Sequence, residues 1–326
     1  TCIGSGAGDA LTDSGSVVLV GSNAGTAIND SNADGTVCIG TSAGAAITDG
    51  AANLAIGYQS SLLLTTGHNN TTIGYQSADA MMSGSAYNTV LGSQAFGGTH
   101  DTSPSDYCVA IGYLALGGAL NNVDGTVAIG KSALAAITSG ANNVAIGYET
   151  GDVMTTSSNN TIVGKSAMGS TLATGCDYNV AIGTEALGGA WTGSASTHNT
   201  AVGTYSMDAI MNGALYNTAV GAQSLGGLTT GDSNTACGMN AGQAVTTGSS
   251  NTLISAGAGA AFTTGSRNIV LGYDAFITAD GAESDNIAIG VSALGSLNND
   301  SSLKNIAIGN YALDATSTNV ATMNVD

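Results

Sequence analysis

Asn143-Val144-Ala145-Ile146-Gly147 is one copy of a short phrase that recurs along all of this 326-residue chain. Close variants occupy residues 53–57, 179–183, 199–203 and 217–221. The last glycine returns every 17 to 20 residues, as in the steps from Gly130 to Gly147 and from Gly92 to Gly112, and Ser255 fills one of its positions. Such a period over a whole chain is typical of a solenoid. We therefore predict one continuous repeat domain over residues 1–326, with about 18 coils of about 18 residues.

Positions within each repeat are numbered from this glycine, which is position 0. Position −1 is Ile, Val or Leu in every repeat except the one with Cys237, and position −3 is Val, Ile, Leu or Thr. Position −2 is mostly Ala, as in Ala145. A short segment rich in β-branched residues forms a strand, with alternate positions on opposite faces. The repeat therefore predicts an all-β fold, a parallel β-solenoid or β-roll.

Both faces of the predicted strand are apolar, which indicates that both are buried. We expect the large side chains at −3 and −1 to fill the coil, with the −1 residues from Ile3 to Ile308 in one aliphatic stack. We expect the small face at −2 and 0, including Ala145, Ala201 and Ala307, to meet a second chain or another layer. This two-sided pattern favours association of the chain with itself.

The rest of the repeat predicts how the coil closes. Position +3 is small, and position +7 is usually apolar, as in Ile137, Ile210 and Phe262. A turn rich in Thr, Gly and Asn often follows, and residues of this kind favour turns. Each coil should therefore contain a strand, a glycine corner, a second short apolar segment and a turn.

Position −4 is the most regular polar position of the repeat. In stacked coils its asparagines would form a ladder in which each amide bonds the next. We interpret this row as structural rather than as a ligand site. Its members are Asn53, Asn70, Asn88, Asn143, Asn160, Asn179, Asn199, Asn217, Asn234, Asn251, Asn268, Asn286 and Asn305.

Composition limits the possible partners. The chain has 4 Lys and Arg against 22 Asp and Glu, a net charge of −18, and such a surface repels nucleic acid and anionic membranes. It contains no run of 18 apolar residues, so we predict no membrane span. The sequence opens inside a repeat at Thr1, which predicts a processed product, part of a longer fibre or a filament subunit.

No pattern of catalytic residues stands out, so we predict that the chain is not an enzyme and has no catalytic residues, cofactor or metal site. His68, His100 and His198 lie far apart in sequence. The cysteines in strand positions, Cys2, Cys38 and Cys237, are expected to be small buried apolar residues.

Two groups of turn residues are candidates for binding a ligand, calcium in one case and sugars in the other. Calcium remains possible at the acidic turns, because oxygen donors suit it; these turns contain Asp30, Asp34, Asp124 and Asp177. A tyrosine row at position +1 could stack sugars or cover the edge of the core; its members are Tyr58, Tyr75, Tyr113, Tyr148 and Tyr273.

The Asn-Val-Ala-Ile-Gly phrase, followed by a small residue at +3, resembles the head repeats of trimeric autotransporter adhesins. It is also similar to Asn-Thr-Ala-Ile-Gly repeats of phage tail fibres. The resemblance implies a left-handed parallel β-roll, three chains about one axis and an adhesive role. The coil of about 18 residues is longer than the adhesin head repeat, and no heptad stalk or membrane anchor is recognisable in the sequence.

These observations lead to one expected function and several alternatives. We expect a non-enzymatic structural or adhesive fibre segment, extracellular or on a cell or virion surface, that spaces or presents a binding surface. Its partners would be further copies of the chain and a cell-surface receptor or glycan. The main alternative is a subunit of a filament that stacks head to tail. A remote alternative is a solenoid that binds ice or glycans.

Overall fold

The computed structural model contains two compact units, Thr1–Asn160 and Thr161–Asp326, which are described separately. The described residues are 1–12, 16–29, 31–99, 103–170, 174–279, 281–296, 304–314 and 323–325. Within them the chain forms short strands, turns and one 3₁₀ turn, Ser31–Ala33, and no α-helix. The prediction of one continuous domain over residues 1–326 stays a prediction.

The first unit is a stack of nine short strands, each paired in parallel with the next strand along the chain. The register repeats, so that Ile111 pairs with Ile129 and Ile129 pairs with Ile146. The strands are β1 Cys2–Ile3, β2 Val18–Val20, β3 Val37–Ile39, β4 Leu54–Ile56, β5 Thr71–Ile73, β6 Thr89–Leu91, β7 Val109–Ile111, β8 Val127–Ile129 and β9 Val144–Ile146.

The second unit repeats the same architecture with ten parallel strands. They are β10 Thr161–Val163, β11 Val180–Ile182, β12 Thr200–Val202, β13 Thr218–Val220, β14 Thr235–Cys237, β15 Thr252–Ile254, β16 Ile269–Leu271, β17 Ile287–Ile289, β18 Ile306–Ile308 and β19 Met323–Val325. The predicted all-β parallel β-solenoid, with coils of about 18 residues, is confirmed. The predicted stacking of the −1 side chains is also confirmed within each unit.

Glycine at position 0 follows every strand from β1 to β18 except β15, where Ser255 takes its place with φ 112. A side chain at this corner is strained and crowded, as Gly130 shows. Gly130 has φ +133, and a Cβ there would lie 2.1 Å from the carbonyl oxygen of Gly147 in the next coil. The chain then makes two tight turns, in which Ala133 N–H donates to Gly130 O (3.3 Å) and Ile137 N–H donates to Leu134 O (3.2 Å). Leu134 adopts φ 51, a left-handed conformation that is rare for Leu. Its N–H donates to Thr150 O of the next coil (3.0 Å), which fixes this conformation.

In the coil that runs from Gly130 to Gly147, the core is filled from four positions. Ala145 at −2 and Ala133 at +3 are fully buried, as are Leu134 at +4 and Ile137 at +7. The predicted apolar roles of +3 and +7 are confirmed at these residues. The large residue at +4 was not anticipated.

One predicted core residue is wrong. Ile210 at +7 is exposed, and its neighbour Met211 at +8 is buried instead. Leu120 and Trp191 are also buried at +8. In these coils the closing turn follows a different course, so the inward position moves by one residue.

The predicted assignment of the two strand faces is wrong. Ala145, Ala201 and Ala307 are fully buried inside their own coils rather than against a second chain, whereas Ile146 is 38% exposed. The −2 side chains point inward into a narrow interior, which they share with the +3 and +7 side chains and, where +4 is large as at Leu134, with the +4 side chain. The large −3 and −1 side chains therefore point outward.

Candidate functional site: the outward face of the strands

The outward side chains at −3 and −1 form an aliphatic face on each unit. In the first unit it runs from Val18 and Val20 to Val144 and Ile146, and in the second from Thr161 and Val163 to Ile306 and Ile308. None of the strands that form these faces contains a charged residue. The most exposed members include Leu91, Val220 and Leu271, at 39 to 46%.

The size of this face indicates an interaction surface. Eight strands, from β2 to β9, at the usual spacing of about 4.8 Å cover about 40 Å, and three residues span about 10 Å, which gives about 400 Å². This area is similar to that of the largest apolar patch on a typical soluble chain, and such patches are often functional. The constant parallel register between neighbouring strands also holds these side chains at a regular spacing.

Aromatic rings border the aliphatic face on the +1 side. Tyr58 and Tyr75 stack with ring centroids 5.4 Å apart and planes 13° apart. Lys131 Nζ lies 4.8 Å from the ring centroid of Tyr148 and 3.5 Å from a carboxylate oxygen of Glu149. The +1 tyrosines are exposed, so they do not cover the core edge as one of the two interpretations held. A sugar would need an open ring face, and in the Tyr58–Tyr75 stack each ring covers one face of the other.

A second aromatic row lies at position −5, on the other side of the strand, and the sequence analysis missed it. Tyr87 and Tyr107 stack at 5.1 Å with planes 2° apart. In the second unit, His198 lies between Tyr178 (4.9 Å) and Tyr216 (5.0 Å). Part of the signal was present in the sequence, because a Tyr or His comes one residue before a ladder asparagine at Tyr87, Tyr178, His198 and Tyr216, whereas Tyr107 comes before Cys108.

The asparagines at −4 lie in buried rows beside this face. Asn234 Nδ2 donates to Asn217 Oδ1 (3.0 Å) and to Gly248 O of the following coil (2.8 Å). Asn234 Oδ1 accepts both the N–H (3.0 Å) and the Nδ2 (2.9 Å) of Asn251. Each amide is therefore fully used by the protein, which leaves no group facing a ligand.

The row differs between the two units. In the second unit the amide bonds run without interruption through Asn179, Asn199, Asn217, Asn234, Asn251, Asn268, Asn286 and Asn305. In the first unit they join Asn53, Asn70 and Asn88, and separately Asn143 and Asn160.

Other residues take the −4 position elsewhere in the first unit. Thr36 Oγ1 accepts the N–H of Asn53 (3.3 Å) and donates to Gly50 O (3.0 Å). Cys108 donates its N–H to Asn88 Oδ1 (2.8 Å). The Thr36 hydroxyl therefore makes part of the hydrogen bonds that an asparagine amide makes elsewhere, and the Cys108 thiol donates to Val123 O (3.3 Å).

The acidic turns hold a second row of acceptors, at position −6. Asp106 Oδ1 accepts the N–H of Ala86 (2.7 Å), and Asp124 Oδ1 accepts the N–H of Asp106 (2.8 Å). Asp34 Oδ1 accepts the N–H of Ser16 (3.3 Å), and Asp177 stands at the same position of its repeat. The carboxylates of Asp34, Asp106 and Asp124 thus bind backbone groups of the preceding coil, a role that the calcium hypothesis did not foresee.

Calcium binding at these turns stays the alternative to the predicted absence of a metal site. Asp30 lies outside the described residues, and so does His100. Within the described ranges, no three His, Cys, Asp or Glu side chains are placed to hold one metal ion. No helix in this part of the chain has the length and apolar character to cross a membrane.

Three aspartates outside these rows are partly desolvated. Burial is the largest cause that raises the pKa of Asp79, Asp152 and Asp208 above the usual carboxyl value. The neighbouring charge of Glu185 raises the pKa of Asp208 further. All three occupy position +5 of their repeats.

The cysteines divide between the two faces. Cys38, at −2, is buried as predicted, and burial raises the pKa of its thiol to about 12. Cys237, at −1, is exposed, so the prediction that it is a buried apolar residue is wrong. Cys2 is also exposed, against the same prediction, because it lies in the first strand, where no preceding coil covers it within this sequence.

Comparisons with known proteins identify no family for this chain. No protein-family model matches the chain, and no curated protein sequence matches it either. Its function is therefore argued from the solenoid and its outward face.

Proposed function

We propose that this chain is a non-enzymatic structural or adhesive segment of an extracellular fibre, which spaces or presents a binding surface and assembles with further copies of itself. The aliphatic face carries this proposal. A long, uncharged surface of Val, Ile, Leu and Thr is stabilised when another apolar surface covers it. A second copy offers the same surface with the same strand spacing.

Electrostatics support copies that meet through this face rather than through their turns. With a net charge of −18, the turn surfaces of two copies repel each other. The strands, by contrast, bring no charge to the face. Three copies around one axis, in a left-handed roll, is the arrangement that the repeat resemblance implies, and it is part of the proposal.

The polar side chains support a structural role over a catalytic one. The asparagine amides and the −6 carboxylates bind backbone and side-chain groups of adjacent coils. They hold the solenoid together, and an extracellular location suits a surface with few basic residues.

Assembly can be tested by light scattering and negative-stain microscopy of the wild type and two variants. We expect discrete particles of three copies for the wild type. Val220→Glu places a charge on the aliphatic face and should shift the protein to single chains with unchanged circular dichroism. Gln223→Glu adds the same charge at an exposed turn position of the same coil and should leave the assembly intact.

Other outcomes would change the proposal. Single wild-type chains at every concentration would contradict self-association. Unlimited threads that persist in Val220→Glu would support head-to-tail stacking of filament subunits instead. Surface labelling of intact, unpermeabilised cells or virions with an antibody tests the location.

A row of hydroxyls in the second unit supports one further candidate. Thr200, Thr218, Thr235 and Thr252 pair in consecutive strands, so their side chains repeat at strand spacing on a regular face. Such a row could order water in the manner that ice binding needs. It would require an uncovered face, so inhibition of ice recrystallisation by a single-chain form would favour this candidate over self-association.

A further inference from the structure

We propose that Tyr58–Tyr75 and Tyr87–Tyr107 are oxidative cross-linking sites, at which a one-electron oxidant joins adjacent coils through dityrosine. This inference goes beyond the proposed function and does not depend on it. Both pairs lie in the first unit, at positions +1 and −5.

The solenoid itself creates these pairs. Tyr58 and Tyr75 follow the corner glycines of consecutive coils, so the parallel register brings them together. Gln76 N–H donates to Tyr58 O (2.8 Å), and Tyr107 N–H donates to Ala86 O (3.2 Å). The backbone on both sides of each pair is therefore held, and the ring centroids lie only 5.4 and 5.1 Å apart.

The rings are open to an oxidant. All four tyrosines are exposed, from 45% for Tyr58 to 62% for Tyr107. A small peroxide-derived oxidant, or the haem edge of a peroxidase, can therefore take an electron from them. Buried tyrosines at the same spacing would not be accessible in this way.

The chemistry balances with hydrogen peroxide as the oxidant. Each phenol loses one electron and its hydroxyl proton to give a phenoxyl radical. The two radicals form one carbon–carbon bond between their ortho carbons, and each ring then moves its ortho hydrogen to oxygen to restore the phenol. One peroxide accepts the two electrons and two protons and becomes two waters.

The short distance within each tyrosine pair determines which two rings couple. Holding two reacting groups side by side makes their reaction effectively unimolecular and strongly favours it over encounters between molecules. A bond between ortho carbons brings two ring centres slightly closer than they are here. Coupling thus requires a tilt of the rings within the pair, and the strands can stay in place.

The second unit provides a matched control. Tyr178 and Tyr216 are two coils apart, with the His198 ring between them. They should not couple to each other in the wild type. His198→Tyr would place a third phenol within stacking distance of both.

The experiment treats the folded wild-type chain with a haem peroxidase and hydrogen peroxide, then measures dityrosine fluorescence and maps cross-linked peptides by mass spectrometry. We expect two cross-links within one chain, Tyr58–Tyr75 and Tyr87–Tyr107, each with the loss of two hydrogens. Tyr75→Phe and Tyr107→Phe should each remove one cross-link, and together they should reduce intramolecular dityrosine several-fold. His198→Tyr should add a cross-link between position 198 and a neighbour.

Three results would overturn the proposal. They are dityrosine found only between different molecules, an unchanged intramolecular yield in the double Phe variant, or oxidised but uncoupled rings at these four positions. Circular dichroism before oxidation checks that each variant is folded. Oxidation in urea, where the coils are separated, should abolish the pair specificity.

Discussion

Ala145 and Ile146 are neighbours in one strand, yet the smaller residue is fully buried and the larger one is 38% exposed. The inner face of the strands is therefore rich in alanine and packs against the +4 and +7 side chains. The outer face carries the branched side chains and faces away from its own coil. The difference teaches that hydrophobicity alone does not identify the inside of a narrow solenoid, because the available volume also matters.

The largest expected effect comes from placing a charge on each face of one strand. Ala219→Asp buries an unpaired carboxylate and should reduce the free energy of unfolding by about 4 kcal/mol or more. Val220→Asp, one residue later and 39% exposed, should cost about 1 kcal/mol or less. The sole tryptophan, Trp191, lies in the same unit and reports urea unfolding by fluorescence. Equal losses for the two variants would contradict the assignment of the faces.

The corner glycine at the end of the strand allows a second comparison, between a crowded and an open position with positive φ. Gly130→Ala should cost about 3 kcal/mol, because it strains the backbone and its Cβ would meet Gly147 O at 2.1 Å. Gly84→Ala is the matched control, since Gly84 also has a positive φ but its nearest neighbouring atom would be 3.7 Å away. We expect about 1 kcal/mol there. Thermal unfolding followed by circular dichroism separates the two, and similar losses would show that backbone strain alone decides.

The asparagine row should show a smaller effect. Asn234→Ala leaves buried partners on Asn217, Gly248 and Asn251 without their bonds and should cost about 2 kcal/mol. Ser233→Ala, at the exposed preceding residue, should change stability by less than about 0.5 kcal/mol. Urea unfolding monitored at Trp191 measures both. A loss of ligand binding with unchanged stability would show instead that the row is a binding site.

The smallest effect concerns pH. The pKa of Asp208 is raised in the folded protein by burial and then by Glu185, so folding favours the protonated carboxyl. That contribution is present below the unfolded pKa of about 4 and is lost as pH rises through the folded value. The stability of the wild type should therefore fall relative to Asp208→Asn as pH rises across this window.

Glu185→Gln provides the control for this prediction. It should weaken the pH dependence without removing it, because burial is the larger cause. A wild-type curve parallel to that of Asp208→Asn would contradict the desolvation of Asp208. Unfolding midpoints across a pH series measure all three proteins.

The sequence predicted the features that repeat in every coil. The glycine period predicted the parallel strands and their register. The −4 asparagines lie in the expected rows. The direction of the faces could not be predicted, because it depends on the turn residues at +4, which are Leu134 in one repeat but Gly44 and Gly151 in others. These adopt left-handed conformations that a sequence pattern does not reveal.

The candidate surface was predicted only in part. Apolar residues on both sides of the strand indicated that one face needs a partner. The prediction named the −2 face, whereas the exposed face is that of −3 and −1. The tyrosine pair at −5 was missed because Tyr87 and Tyr107 are 20 residues apart, and because the other ring against Tyr87, His68 at 5.1 Å, stands at position −6 of its repeat. Their contact follows from the register rather than from a local motif.

The central claim, that −2 points inward and −1 outward, is tested most directly by the two cysteines at these positions. Maleimide labelling of the folded chain, mapped by mass spectrometry, should modify Cys237 when the protein is diluted to single chains. Cys38 should react only after unfolding, because burial keeps its thiol protonated and covered. Labelling of Cys237 should slow as copies assemble. Equal labelling of both thiols in the folded single chain, or earlier labelling of Cys38, would contradict the account.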